Sequence, residues 1–151
     1  MASDRDAPPE RPVPSAALAS ALRISVLRLG RRLRRHAPAD LTPAQLSALA
    51  AVRRDAGVTL SGLAEHERVQ PPTMTRIVDA LVAKGLVERS VCPDDRRVSL
   101  LRATPAGREL VDGVRRRRDA YLASRLAALT DEERAVLARA ADLLDRLGEG
   151  S

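Results

Sequence analysis

The residues of this chain whose types and spacing could do chemistry are Gln70, Thr73, Thr75 and Arg76, with Arg96 and Arg97 further on. Gln, Thr and Arg side chains can hydrogen-bond base edges, and a protruding arginine suits phosphates or a narrow minor groove. Arg76 would take guanine or phosphate, and Thr73 or Gln70 a base edge or phosphate. Pro71 and Pro72, beside them, could offer apolar contact to a thymine methyl. Arg96 and Arg97 are neighbours on a β-like segment and point oppositely, so one of them, rather than both, is expected in a groove.

Other reactive side chains carry less. Cys92 is the single cysteine; nearby Arg89, Arg96 and Arg97 could favour its thiolate if they approach in space. With no second cysteine to resolve a sulfenate within the chain, an inert residue is the preferred reading and a redox-responsive one the alternative. His36 and His66 do not make a metal motif, since His66 sits between Glu65 and Glu67 on a helix whose neighbours diverge by about 100°. There is no phosphate loop, credible triad or paired-carboxylate constellation, so neither an enzyme, a cofactor nor a metal site is expected.

The elements that must position these residues can be read from punctuation and periodicity. Pro71 and Pro72 fit only the first turn of a helix, which therefore starts near Gln70. Met74, Ile77, Val78, Leu81 and Val82 recur at helical steps and define its buried face, leaving Thr73, Arg76 and Asp79 opposite. Lys84-Gly85 ends the helix with a cation and a residue suited to a left-handed cap, and Leu86 can fold back. Val87 to Val91 and Val98 to Ala103 are β-type runs joined by a polar tip, a hairpin. Upstream, Thr59 caps a brief helix with Leu60, Leu63 and Ala64. That helix is joined to the next by a few residues, Glu67 to Val69, as in a helix-turn-helix.

Thr42-Pro43-Ala44-Gln45 has capping-box spacing, and Leu46, Leu49, Ala50 and Val52 are its expected buried side. Val58 is a candidate short strand. Ser15 is expected to cap a helix running to His36, with Leu18, Leu22, Val26, Leu29 and Leu33 on one stripe and Ala17, Ala21, Ile24 and Leu27 on a second. Thr104-Pro105 opens a helix to about Leu129. Thr130-Asp131-Glu132-Glu133 opens the last, which shows Val136, Ala140, Leu143, Leu144 and Leu147 on one side. The outer helices carry more apolar surface than one contact face requires. A second subunit would explain it; the alternative is a helix sandwiched within its own chain.

The fold class expected is mainly α with a small β-hairpin wing. Residues 1–14, Pro-rich and without periodicity, read as a flexible arm. Residues 42–104 read as the winged helix-turn-helix domain, and 15–37 and 105–148 as dimerisation helices. At 151 residues with 44% apolar side chains the chain is long enough for a sizeable core, and Tyr121 is its single aromatic residue. Twenty-six basic against twenty acidic residues give a net charge of +6, which leans toward a polyanionic partner. A single cysteine and the lack of an apolar signal segment or membrane-length run predict a soluble, cytoplasmic protein.

The order of elements, and the motifs Leu63-Ala64, Thr75-Arg76, Gly85-Leu86-Val87-Glu88-Arg89, Asp95-Arg96-Arg97 and Thr104-Pro105-Ala106-Gly107, resemble the MarR family of bacterial transcriptional regulators. The resemblance implies a homodimer held by its terminal helices and reading double-stranded DNA at a pseudo-palindrome, with recognition helices about 34 Å apart. It implies that Arg97 enters the minor groove while Asp95 orients the wing. It also implies a small-molecule effector of unknown class between the dimer helices and the winged domain. Gln70 departs from the serine common in such proteins, and Cys92 from a charged residue. The expected function is a sequence-specific regulator, a ligand-responsive repressor. The rival from another class is a winged scaffold for protein contacts or general DNA binding.

Overall fold

The structure is a computed structural model that describes residues 14–37, 39–91 and 98–149. The expected arm through residue 13, and the tip residues Cys92, Asp95, Arg96 and Arg97, lie outside the described residues. In chain order the elements are α1 (Ser15–His36), α2 (Pro43–Arg54), β1 (Val58–Thr59), α3 (Leu60–His66), α4 (Pro71–Ala83), β2 (Val87–Val91), β3 (Ser99–Ala103), α5 (Pro105–Leu126) and α6 (Asp131–Glu149).

Threonines start four of the six helices among the described residues, and the reason is local. A threonine just outside a helix accepts a hydrogen bond from a backbone N–H that has no partner in the first turn. Thr42 and Gln45 close a full capping box, with Gln45 N donating to Thr42 Oγ1 at 3.2 Å and Thr42 N to Gln45 Oε1 at 2.9 Å. Thr130 and Glu133 form the same box ahead of α6. Thr59 and Thr104 cap α3 and α5 through Gly62 N and Gly107 N, each at 3.1 Å. α1 differs from expectation: Pro14 is its cap, Ser15 is already inside the helix, and no side chain bonds the cap.

The core lies under α4. Leu49 and Val52 of α2, Leu63 of α3, Met74, Val78 and Leu81 of α4, and Leu86, Val87, Leu101 and Ala103 of the sheet are all buried together. Three sequence expectations are corrected here. Val82 is 38% exposed, because the core touches α4 along the narrower stripe of Met74, Val78 and Leu81. The buried face of α2 is Ala48, Leu49, Ala51 and Val52, with Leu46 and Ala50 only half-buried and turned toward clefts against α1 and α5. α5 also stops at Leu126 rather than Leu129.

The sheet is antiparallel throughout, in the order β1-β3-β2. Its register sets Val87 opposite Ala103 and Arg89 opposite Leu101; Val87 is buried against the core, and Arg89 and Val91, on the same face of β2, are exposed. Val58 pairs with Leu101 on the other side of β3, which anchors the hairpin to the start of α3.

Outside this core lie α1 and α6. Their large apolar side chains dominate those left exposed among the described residues: Leu18, Ile24, Val26, Leu27 and Leu29 on α1, and Val136, Leu137, Leu143, Leu144 and Leu147 on α6. No helix among the described residues is long and apolar enough to cross a membrane.

Candidate nucleic-acid interface

Both ends of α4 are set by its own residues. The turn before it places Arg68 in the left-handed region at φ 53°, with Val69 N donating to Ala64 O and Arg68 N to Glu65 O, each at 3.0 Å. That pair of bonds is a Schellman closure of α3. The same closure ends α4, where Gly85 (φ 69°) donates to Val82 O at 2.9 Å and Leu86 to Leu81 O at 3.0 Å. Leu86 is thereby folded back onto the helix and buried, as the sequence predicts.

At the exposed tip of α4 stand Gln70, Pro71, Pro72, Thr73 and Arg76. Gln70 is the cap residue, and its side chain makes no cap hydrogen bond. Pro71 and Pro72 lack N–H groups, and Thr73 N donates to Gln70 O at 2.9 Å. The first turn of this helix therefore offers few free backbone donors, so an anion arriving here is met by side chains. Arg76 lies one turn in and makes no ion pair among the described residues.

Thr75 is placed differently from its neighbours. It is half-buried, and its hydroxyl donates to Pro71 O at 3.0 Å. Such back-bonding to the carbonyl four residues earlier is a common resting place for a helical threonine. Its proton is spent inside the helix.

The wing strand is tied to α4 by an ion pair: Arg89 Nη2 lies 2.6 Å from Asp79 Oδ1. Asp79 shares the open stripe of α4 with Arg76, three residues apart, so the bridge brings β2 alongside the face that carries Arg76. On the same hairpin Glu88 stands opposite Arg102, an opposite-charge cross-strand pair in the register.

Behind this surface α5 is fastened to the corner between α4 and β2. Thr104 Oγ1 donates to Gly85 O at 2.7 Å and Thr104 N to Leu86 O at 3.0 Å. Gly107 packs so tightly that an added Cβ would lie 2.1 Å from Leu86 O. Arg53 of α2 pairs with Asp112 of α5 at 2.6 Å. At the far end of α1, the His36 ring stacks on Tyr121 with centroids 3.8 Å apart, and the Arg125 guanidinium lies 5.9 Å from the Tyr121 centroid. His66 is engaged by Arg54, whose Nη2 is 3.0 Å from its Nε2.

Sequence reasoning missed the Asp79–Arg89 bridge and the Gly107 contact. Neither has a spacing signal, since each joins residues brought together by the fold. Among the sequence-derived candidates, the structure brings Gln70, Pro71, Pro72, Thr73 and Arg76 onto one exposed tip and turns Thr75 inward.

The MarR family model matches residues 41–99, the span from just before α2 to the first residue of β3. An HTH-type transcriptional regulator of Mycobacterium tuberculosis is 43% identical over 130 residues, covering 85% of this chain and 91% of its own. The HTH-type transcriptional repressor MdtR of Bacillus subtilis is 37% identical over 93 residues, 62% of this chain and 60% of its own. A solved MarR family protein from Bacillus stearothermophilus is similar with a TM-score of 0.76 at 28% identity, covering 87% of this chain and 93% of its own. With the helix-turn-helix, the hairpin wing and these likenesses together, the chain belongs to the MarR family of winged-helix, DNA-binding transcriptional regulators, which are not enzymes.

Proposed function

We propose that the protein is a cytoplasmic, homodimeric repressor that reads a pseudo-palindromic operator and releases it in response to a small molecule. The observation that carries the reading is the Asp79–Arg89 bridge, which sets the wing strand beside the exposed Gln70–Arg76 tip of α4. A helix tip of that chemistry suits a major groove, and a neighbouring hairpin suits the adjoining minor groove. Gln70, Thr73 and Arg76 then contact base edges or phosphates, and Pro71 and Pro72 a thymine methyl. Thr75, whose hydroxyl proton goes to Pro71 O, joins them as a contact through its oxygen. Asp95, Arg96 and Arg97 belong to the segment between β2 and β3, with Arg97 the groove-entering residue and Asp95 its orienting partner. Repression is favoured by the similarity to a named repressor, and dimerisation by the apolar faces of α1 and α6.

Gel-shift titration against operator-like sequence near the protein's own gene tests this reading. Specific binding that weakens with salt is expected; equal affinity for scrambled DNA would defeat it. Arg76→Ala should cost about 1 to 3 kcal/mol of discrimination if Arg76 reads a guanine, and Arg97→Ala should lower the salt slope by about 1. A winged scaffold for protein contacts would keep its partner through both substitutions.

A second observation supports the effector. Two adjoining concavities, one of about 350 Å³ between α1, α2 and α5 and one of about 380 Å³ between α2 and α5, share Leu46, Ala50 and Arg118. Arg118 Nε is buried there without a hydrogen-bond partner among the described residues. A buried guanidinium N–H lacking an acceptor favours a ligand that brings one, so an organic anion with an apolar body fits these walls. A small organic monocarboxylate with an apolar body should weaken DNA binding by roughly 5- to 150-fold, a coupling of about 1 to 3 kcal/mol. Arg118→Met should keep DNA affinity and lose the response; an undiminished response in that variant would remove Arg118 from the effector site.

A further inference from the structure

We infer that Asp79 is a specificity-determining residue, which acts by holding Arg89 away from DNA phosphates and so masking one cation per protomer on the DNA-facing side. The inference rests on the proposed use of α4 and the wing as the DNA-reading surface.

Arg89 Nη2 sits 2.6 Å from Asp79 Oδ1, and both side chains are substantially solvent-exposed, at 42% and 59%. An exposed pair of this kind adds little to folding stability, so its place on the reading surface calls for another account. Asp79 is also an acidic residue on the stripe that carries Arg76, where a carboxylate repels the phosphate backbone. Arg89 can leave the carboxylate, because its side chain is long and substantially solvent-exposed.

Non-specific affinity comes almost wholly from phosphate neutralisation, whereas discrimination comes from base contacts. An arginine freed at the junction of recognition helix and wing would bind any duplex equally. It would raise affinity for scrambled DNA and compress the ratio between operator and non-operator sites. The Asp79 carboxylate prevents this by competing with phosphate for the same guanidinium. The bridge thus trades total affinity for selectivity, while the place of β2 is held by its ladder with β3 and by buried Leu86 and Val87.

The test uses the full chain, with salt-dependent binding to operator and scrambled duplexes for the parent, Asp79→Asn, Arg89→Ala and the double variant. Parent binding that is specific and salt-sensitive establishes the reading surface independently of this inference; its absence defeats that surface and the present assignment with it. Given that binding, Asp79→Asn should steepen the log–log salt slope by about 0.9 for each bound protomer. For two protomers this amounts to about a tenfold larger loss of affinity between 50 and 200 mM salt. Affinity for scrambled DNA should rise more than affinity for operator. Arg89→Ala should leave the parent slope unchanged, and the double variant should return to it.

Three outcomes would overturn the assignment. One is an unchanged slope in Asp79→Asn. Another is a shallower slope in Arg89→Ala alone, which would mean that Arg89 already contacts phosphate. The third is a double variant as steep as Asp79→Asn, which would trace the effect to the lost carboxylate and not to Arg89. A purely structural role for the pair would weaken both duplexes together and would leave the slope where it was.

Discussion

Gly107→Ala is expected to destabilise the protein by about 3 kcal/mol, the upper end of what overpacking a tight contact costs. For a chain of this size that corresponds to a fall in melting temperature of about 10 °C. The added methyl would sit 2.1 Å from Leu86 O and 3.2 Å from Leu49 Cδ1, and the first of these has no room to give. Leu86 O is held by Thr104 N at 3.0 Å, and Leu86 itself is pinned through its N–H to Leu81 at the end of α4. Relief therefore requires lifting the first turn of α5 off the α4–β2 corner, which also tilts the recognition helix. Specific DNA binding should fall with stability, even at temperatures where the variant is folded. Gly85→Ala is the control. Its φ of 69° makes any side chain cost about 1 to 2 kcal/mol, yet nothing lies within 4 Å, so the loss should be in stability alone. Thermal melts and operator titrations of both variants check the contrast. A Gly107→Ala protein that melts and binds like the parent would show that α5 is not seated as described.

The same contact gives the proposed effector response a mechanical route. α5 begins against the end of the recognition helix at Thr104 and Gly107, and about three turns later it carries Arg118 in the cleft with α1 and α2. A ligand that shifts Arg118 acts on one end of a continuous helix whose other end is bolted to α4. Because Gly107 leaves no slack, displacement of α5 is passed to α4 instead of being absorbed. The ligand needs only to favour an α4 placement that fails to match successive grooves.

What was legible in the sequence divides along the same line between local and tertiary physics. α4 could be bounded closely because two prolines, a lysine-glycine stop and strong apolar periodicity all act within one turn of the residues they govern. The capping boxes at Thr42 and Thr130 were readable for that reason too. The face of α2 was not: Ala48 and Ala51 carry a weak apolar signal, and they are buried because α2 is crowded by neighbouring elements, not because of their own hydrophobicity. For Thr75, type and position mark a candidate contact, and the fold adds what the sequence does not carry, a hydroxyl bonded to the carbonyl four residues back. Asp79–Arg89 and Gly107–Leu86 are contacts between distant segments with no periodic trace.

Placing glutamate at both Leu143 and Leu147 should convert the proposed dimer to monomers without unfolding the protomer. Leu143 is 52% and Leu147 72% exposed within one chain, so little packing is lost there on substitution. With Leu18, Leu22, Ala140 and Leu144 these residues line an almost wholly apolar groove of about 420 Å³ between α1 and α6. A second copy covering that groove would gain about 1.5 to 3 kcal/mol for each leucine fully buried. The two substitutions forfeit that gain and would bury charge in its place, a cost of several kcal/mol for each unpaired ion. Sedimentation should show the parent as a dimer and the variant at half its mass, with an unchanged circular dichroism spectrum. Operator affinity should fall steeply because a monomer holds one half-site, and the salt slope should fall to about half as the number of neutralised phosphates halves. A variant that stays dimeric and binds operator as before would place the dimer contact elsewhere. A monomeric parent with full operator affinity would remove the need for a second copy, and the apolar faces of α1 and α6 would then require a different partner.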